Sequence, residues 1–195
     1  MLSPTTELEA INTMLSTIGE SPVNTVEDTG NVDVVIARQI LQTVSREVQA
    51  RGWHFNTEIN YTITPDSEGY LVLTNTVLKV DTVYPDSSKD VVVRGSRLYD
   101  REKHTYVFID AVKVDMTILL PFDELPEVAR NYATISASRI FQERVVGSDT
   151  LHAFNSQDEA RAMVSLMEYE ADTADLNILS GNYSVYRILG DRPWV

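Results

Sequence analysis

Carboxylates are the residues of this chain whose number and spacing could do chemistry. Two neighbouring sets stand out, Asp123 with Glu124 and Glu168 with Glu170. Either could supply the acid and base of a glycosidase, one carboxyl protonating the leaving oxygen while the other activates water or attacks the sugar. With twenty-nine acids in 195 residues, such pairs also arise by chance. Asp123 and Glu124 stand where the start of a helix would use them, and Glu168 and Glu170, two apart, do not share a helix face. The three histidines, His54, His104 and His152, lie in unrelated segments without metal-ligand spacing. Cysteine is absent, which removes thiol catalysis, disulfides and Cys-based metal sites together. The eight glycines are isolated, so no phosphate-binding loop forms, and no Gly-x-Ser-x-Gly elbow exists. The residues therefore assign no catalytic, cofactor or metal site.

Charge narrows the field further. The net charge is −13, and the sixteen Lys and Arg are dispersed, whereas a protein that grips nucleic acid by its phosphates clusters them. The last helical stretch concentrates acid: Asp158, Glu159, Glu168, Glu170, Asp172 and Asp175 against the single base Arg161. Such a run is either a solvated outer face or an acidic wall beside a passing polyanion. DNA carries about one charge per 1.7 Å of axis, so a basic wall would hold it and an acidic one lets it move.

The elements that must position these residues are legible from period and punctuation. A helix is expected from Thr5 to Ile18, opened by the capping box Thr6-x-x-Glu9, striped by Leu8, Ile11, Leu15 and Ile18, and ended by Gly19. Asn31 then caps a central helix that runs to Arg51, with Val34, Ala37, Leu41, Val44 and Val48 on one stripe and Ile36 and Ile40 widening it onto two neighbours. Gly52 stops that helix, and Trp53 and Phe55 plug the junction that follows. From Thr57 to Leu120 the period becomes two. About six short strands are expected there, as a meander or small barrel, with Gly95-Ser96 as a hairpin turn between Val91–Arg94 and Arg97–Asp100.

Asp123 is placed as the N-cap of a third helix reaching Val146, with Pro126 in its first turn and a small-residue side of Ala129, Ala133, Ser136, Ala137 and Ser138. Ser156-x-x-Glu159 is expected to open a fourth helix whose buried seam is Ala160, Val164, Met167, Ala171, Ala174 and Ile178, closed by Gly181. The reading is an α+β chain. Residues 1–56 and 121–179 form a discontinuous four-helix bundle domain, residues 57–120 a β-rich antiparallel insertion, and residues 180–195 an extended C-terminal tail. No apolar run approaches the roughly 20 residues of a membrane span. Met1-Leu2-Ser3-Pro4 lacks the features of a signal peptide, so a soluble protein used without secretion is expected.

Several stretches then coincide with one family. Ile18-Gly19-Glu20-Ser21-Pro22-Val23 and Arg51-Gly52-Trp53-His54-Phe55-Asn56 resemble the tail tubular protein A family of T7-like podoviruses. Tyr99-Asp100-Arg101, Asp123-Glu124-Leu125-Pro126-Glu127, Ala137-Ser138-Arg139 through Arg144, and Glu159-Ala160-Arg161 through Met167-Glu168-Tyr169-Glu170 follow in the same order. The resemblance reaches to about Leu179. It implies a structural protein of the virion: a homo-dodecameric ring below the portal vertex, joining the portal protein to the nozzle of tail tubular protein B. Tail fibres would attach around that junction, and genomic DNA would cross the bore without specific binding. It implies no catalytic residue, no cofactor and no membrane contact. Gly19, Pro22, Gly52, Trp53 and Phe55 become structural junction residues, with the acids from Asp158 to Asp175 as an acidic channel or ring surface. The alternatives are a virion-associated peptidoglycan or glycoside hydrolase using a carboxylate pair, and a monomeric acidic protein with one small partner.

Overall fold

A computed structural model describes residues 4–27, 30–147 and 149–173, with side chains of the last segment from Ser156 onward. Among the described residues the chain is mixed α and β: four helices and two small antiparallel sheets. The first helix, α1 (Glu7–Thr17), opens on the expected capping box, with Thr6 and Glu9 satisfying each other's backbone N–H. It ends in a Schellman motif. Glu20 N–H reaches Leu15 C=O and Gly19 N–H reaches Ser16 C=O, each at 3.1 Å, across Gly19 at φ +81°. The second helix, α2 (Val32–Gln49), is capped by Asn31, whose side chain accepts from Asp33 N–H. It buries Val34, Ala37, Leu41, Val44 and Val48 and packs on two helices, as its wide stripe requires.

A 3₁₀ turn, His54–Asn56, leads into β1 (Thr57–Ile63). Strands β2 (Val77–Thr82), β3 (Val91–Arg94), β4 (Arg97–Asp100) and β5 (Val112–Ile118) follow. The arrangement is neither the expected meander nor the expected small barrel of about six strands. β5 lies in the middle of a three-stranded sheet, β1-β5-β2, while β3 and β4 form a separate hairpin turning at Gly95-Ser96. Tyr70–Leu73 and Tyr106–Phe108 make isolated bridges in place of strands, although Leu71, Leu73 and Phe108 are buried. In β1 the pairing register shifts between Glu58 and Tyr61, around Asn60 at φ +55°. This bulge breaks the two-residue alternation, so Ile59 and Tyr61 face solvent and only Ile63 enters the core.

The chain returns through a 3₁₀ turn at Phe122–Glu124 to α3 (Glu127–Val145) and α4 (Asp149–Thr173). α3 occupies the position expected of α2: it packs on α1, α2 and α4. Its small face, Ala129, Ala133, Ser136, Ala137 and Ser138, is buried inside the subunit, which lets those neighbours approach closely. Asp123 does not cap α3. Pro126 stands at that N-cap without a side-chain bond, while Asp123 Oδ1 accepts from Glu7 N–H (3.3 Å) and Glu127 accepts from Thr5 N–H (2.8 Å). Asp123 before α3 and Glu127 at its first position thus serve the start of α1.

α4 departs most from expectation. It begins at Asp149, seven residues before Ser156, because nothing between Asp149 and Asn155 breaks a helix. The expected seam is outside: Ala160 and Ala171 are exposed, with Val164 54% and Met167 53% accessible. Ala162 and Leu166 are buried in its place. Ala174, Ile178, Gly181 and the 180–195 tail lie outside the described residues. Two apolar clusters result, one among the helices with Trp53, the other among the strands around Leu71, Leu98, Val112 and Val114.

Candidate functional site

The residues named as a junction meet where the chain leaves α2 and where it comes back from β5. Gln49, fully buried at the end of α2, turns its amide to the backbone of Leu120, donating to its C=O (3.1 Å) and accepting from its N–H (2.7 Å). Asn56, 1% exposed, donates to both Gln49 C=O (2.9 Å) and Ile118 C=O (2.8 Å), and its Oδ1 accepts from Trp53 N–H. Two side-chain amides thereby stitch the outgoing strand to the returning one. Most buried polar groups in folded proteins are paired in this way.

Trp53 is buried, donates Nε1–H to Val48 C=O at 2.7 Å, and lies parallel to Phe55 with ring centroids 6.4 Å apart. Gly52 sits at φ +76°, and a Cβ there would stand 3.0 Å from Thr117 Oγ1. Gly19 also has positive φ but faces open space. Pro22 is exposed beside Val23, which Asn12 holds by a donor at 3.0 Å and an acceptor at 2.8 Å. Gly52, Trp53 and Phe55 form one constellation; Gly19 and Pro22 belong to the separate α1–α2 connection.

The acidic set is also divided. Glu159 accepts from Ser136 Oγ (2.6 Å) and Arg139 Nε (2.5 Å), tying α4 to α3. Glu159, with Glu143 on the other side, holds Arg139 protonated more firmly than an ordinary arginine, against the opposing effect of burial. Glu170 accepts His54 N–H with both oxygens, at 2.8 and 3.0 Å, and ties α4 to the junction. Asp158 pairs loosely with Arg161 at 3.4 Å. Glu168 and Asp172 are exposed, four residues apart on one face. Asp175 lies outside the described residues.

The carboxylate pairs do not converge for catalysis. Glu168 points to solvent while Glu170 is bound to backbone. Asp123 lines a groove of about 350 Å³ between α1, α2 and residues 119–123. The other acid there, Glu7, is paired with Arg38 at 3.0 Å. His54 and His104 are exposed, and the side chain of His152 is outside the described set. Among the described residues no group of three His, Asp or Glu could hold a metal ion, and no helix is long and apolar enough to cross a membrane.

Sequence reasoning missed the polar side chains that fix the architecture. Ser45 and Gln49 continue Leu41 at steps of four, and a polar pair on a buried stripe was the available signal. Arg130 gave none. It is 9% exposed and donates to three backbone carbonyls, Leu125 (2.7 Å), Thr5 (2.8 Å) and Asp123, locking the chain start onto α3.

Comparison with known proteins supplies the remaining observation. The family model described as "Tail tubular protein" matches residues 8–176. The chain is also 30% identical over 156 residues to "Tail tubular protein A" of Klebsiella phage KP34, a stretch covering 80% of this chain and 81% of that relative.

Proposed function

The chain belongs to the tail tubular protein family, a family of structural phage-tail components and not enzymes, and on that premise we propose that it is the adaptor of a short-tailed phage virion. Twelve copies form a ring below the portal vertex, joining the portal protein to the nozzle of tail tubular protein B and helping to anchor tail fibres. Genomic DNA passes through the ring on ejection. The match over residues 8–176 carries this reading.

The division of labour follows the two apolar clusters. Residues 1–56 and 121–179 act as a discontinuous four-helix bundle that packs the ring and faces the portal, and residues 57–120 act as the β insertion that faces nozzle and fibres. The insertion exposes Ile59 (70%), Tyr84 (84%) and Ile109 (94%), apolar surface of the kind that partners cover. Gly52, Trp53 and Phe55 hold the two parts in fixed relation. A charge of −13 per subunit makes a ring that repels DNA and so does not hold it, with Asp158, Glu168 and Asp172 on its acidic surface.

The test is co-purification of the untagged protein with the tagged portal and tagged nozzle proteins of the same phage. Retention by both, in one complex, is expected. Retention by neither overturns the adaptor reading.

A further inference from the structure

The β3–β4 hairpin carries an arrangement that the adaptor reading does not use. Arg94 and Arg97 are direct cross-strand partners flanking the Gly95-Ser96 turn, and both are exposed. Like charges directly opposite one another destabilise a hairpin, so a pair of this kind normally has a carboxylate between its members. Here neither arginine is within ion-pair distance of an acid among the described residues. Of the acids nearby, Asp90 pairs with Arg101 at 3.3 Å, buried Asp100 accepts from the N–H groups of Glu102 and Lys103, and Glu102 is exposed beside Arg94 without pairing with it. Each guanidinium instead lies flat on a ring, Arg94 3.7 Å from the centroid of Tyr99 and Arg97 4.1 Å from that of Tyr70. Tyr106 meets Tyr99 edge-on at 4.8 Å, which fixes that ring. Stacking holds the cations in place and leaves their N–H edges free to donate to carboxylates in the bidentate manner of arginine. Arginine and tyrosine together are also the usual composition of a protein-binding hot spot.

The same chain presents the complement. Glu168 and Asp172 are exposed on one face of α4, four residues apart, and no cation among the described residues pairs with them. Carboxylates at that spacing have Cβ atoms about 5–6 Å apart, and cross-strand arginines about 5 Å. Two cations thus match two anions in number and sign, on backbone positions of similar separation. We infer that Arg94 and Arg97 of one copy engage Glu168 and Asp172 of a second copy of this chain, as a head-to-tail contact of the kind that closes rings. The occupant is protein and not DNA, because two guanidiniums beside Asp90 and Glu102 do not make the extended basic stripe that phosphates require. This inference rests on the ring reading, and it gives Glu168, Asp172 and the β3–β4 hairpin to the contact between copies in place of the DNA-repelling surface and the nozzle face.

Charge reversal tests it. Arg94→Glu with Arg97→Glu should raise the concentration needed for assembly about a hundredfold, and so should Glu168→Arg with Asp172→Arg. All four positions are exposed, so both variants should keep the wild-type unfolding midpoint and circular dichroism. Mixed together, the two variants should form rings again, since every contact then joins opposite charges, with the variants alternating round the ring. Assembly is read as mass by light scattering, with portal present if the wild type needs it. Wild-type rings together with unimpaired assembly of either single-face variant would overturn the inference while leaving the ring reading intact, as would failure of the mixture to recover. A wild type that never assembles would overturn both.

Discussion

Gln49 closes a two-way hydrogen bond with the backbone of Leu120, 71 residues further along the chain. That bond fixes where the β excursion leaves the helices and where it returns. Replacing Gln49 by Leu keeps the volume but leaves both Leu120 groups without a partner. A fully buried group left unpaired costs about 1–3 kcal/mol, and the Leu120 groups are part-buried, so the expected loss is about 2 kcal/mol in denaturant unfolding. A change below about 0.5 kcal/mol, the size of an ordinary surface substitution, would remove the amide from the account of the junction.

The two junction glycines should respond differently to alanine. Gly19→Ala costs only the left-handed backbone, about 1 kcal/mol, because its Cβ meets nothing. Gly52→Ala adds a 3.0 Å approach to Thr117 Oγ1 and should cost about 1 kcal/mol more. Thr117→Ala in the same chain should recover that difference, while doing nothing for Gly19→Ala. Thermal unfolding of the four variants reads the comparison.

Arg130→Lys keeps the charge and loses the geometry. One ammonium cannot serve Leu125, Thr5 and Asp123 carbonyls on diverging lines as the guanidinium does. A loss of about 2–3 kcal/mol is expected, with faster hydrogen exchange in α1, whose start Arg130 anchors. Unchanged exchange in α1 would contradict that anchoring role.

Acid should loosen the β2–β3 connection. Asp86 bonds Lys89 at 2.6 Å and accepts from Lys113 N–H at 2.9 Å, and these hold its carboxyl below the ordinary carboxylate range. A carboxyl depressed by folding contributes its stability above the unfolded value, near pH 4, and loses it as pH falls through the lower folded value. Stability should therefore drop below about pH 4, and Asp86→Asn should flatten that part of the profile. An unaltered acid limb in the variant would show that other carboxylates dominate.

The acids of α4 should separate by role. Glu159→Gln removes a charged partner from Arg139 between two helices, both side chains being about one-fifth exposed, and should cost about 1–3 kcal/mol. Glu168→Gln, with no partner among the described residues, should be neutral to unfolding. Chemical denaturation distinguishes the two.

What the sequence made legible was local. Thr6 with Glu9, Asn31, and Gly95-Ser96 each act on backbone within four residues, so α1, α2 and the hairpin follow from composition at fixed offsets. The phase of α4 was not local. Ala160, Val164, Met167 and Ala171 form a more apolar stripe than Ala162 and Leu166, yet the helix is turned by Glu159 bonding Arg139 and Glu170 bonding His54. Those contacts span 20 and 116 residues, and no spacing rule contains them. The same holds for the acidic surface, read as six residues, of which the fold turns Glu159 and Glu170 inward. The bulge at Asn60 hid in a strand whose alternation looked regular.

Mass in solution distinguishes a ring from a monomer. Purified protein should be weighed by light scattering, alone and then with the portal ring of the same phage. A preformed ring of twelve 21.9 kDa subunits, or monomers that add to the portal until twelve are bound, is the predicted result. A monomer that stays a monomer in both samples, with no added mass on the portal, would contradict it.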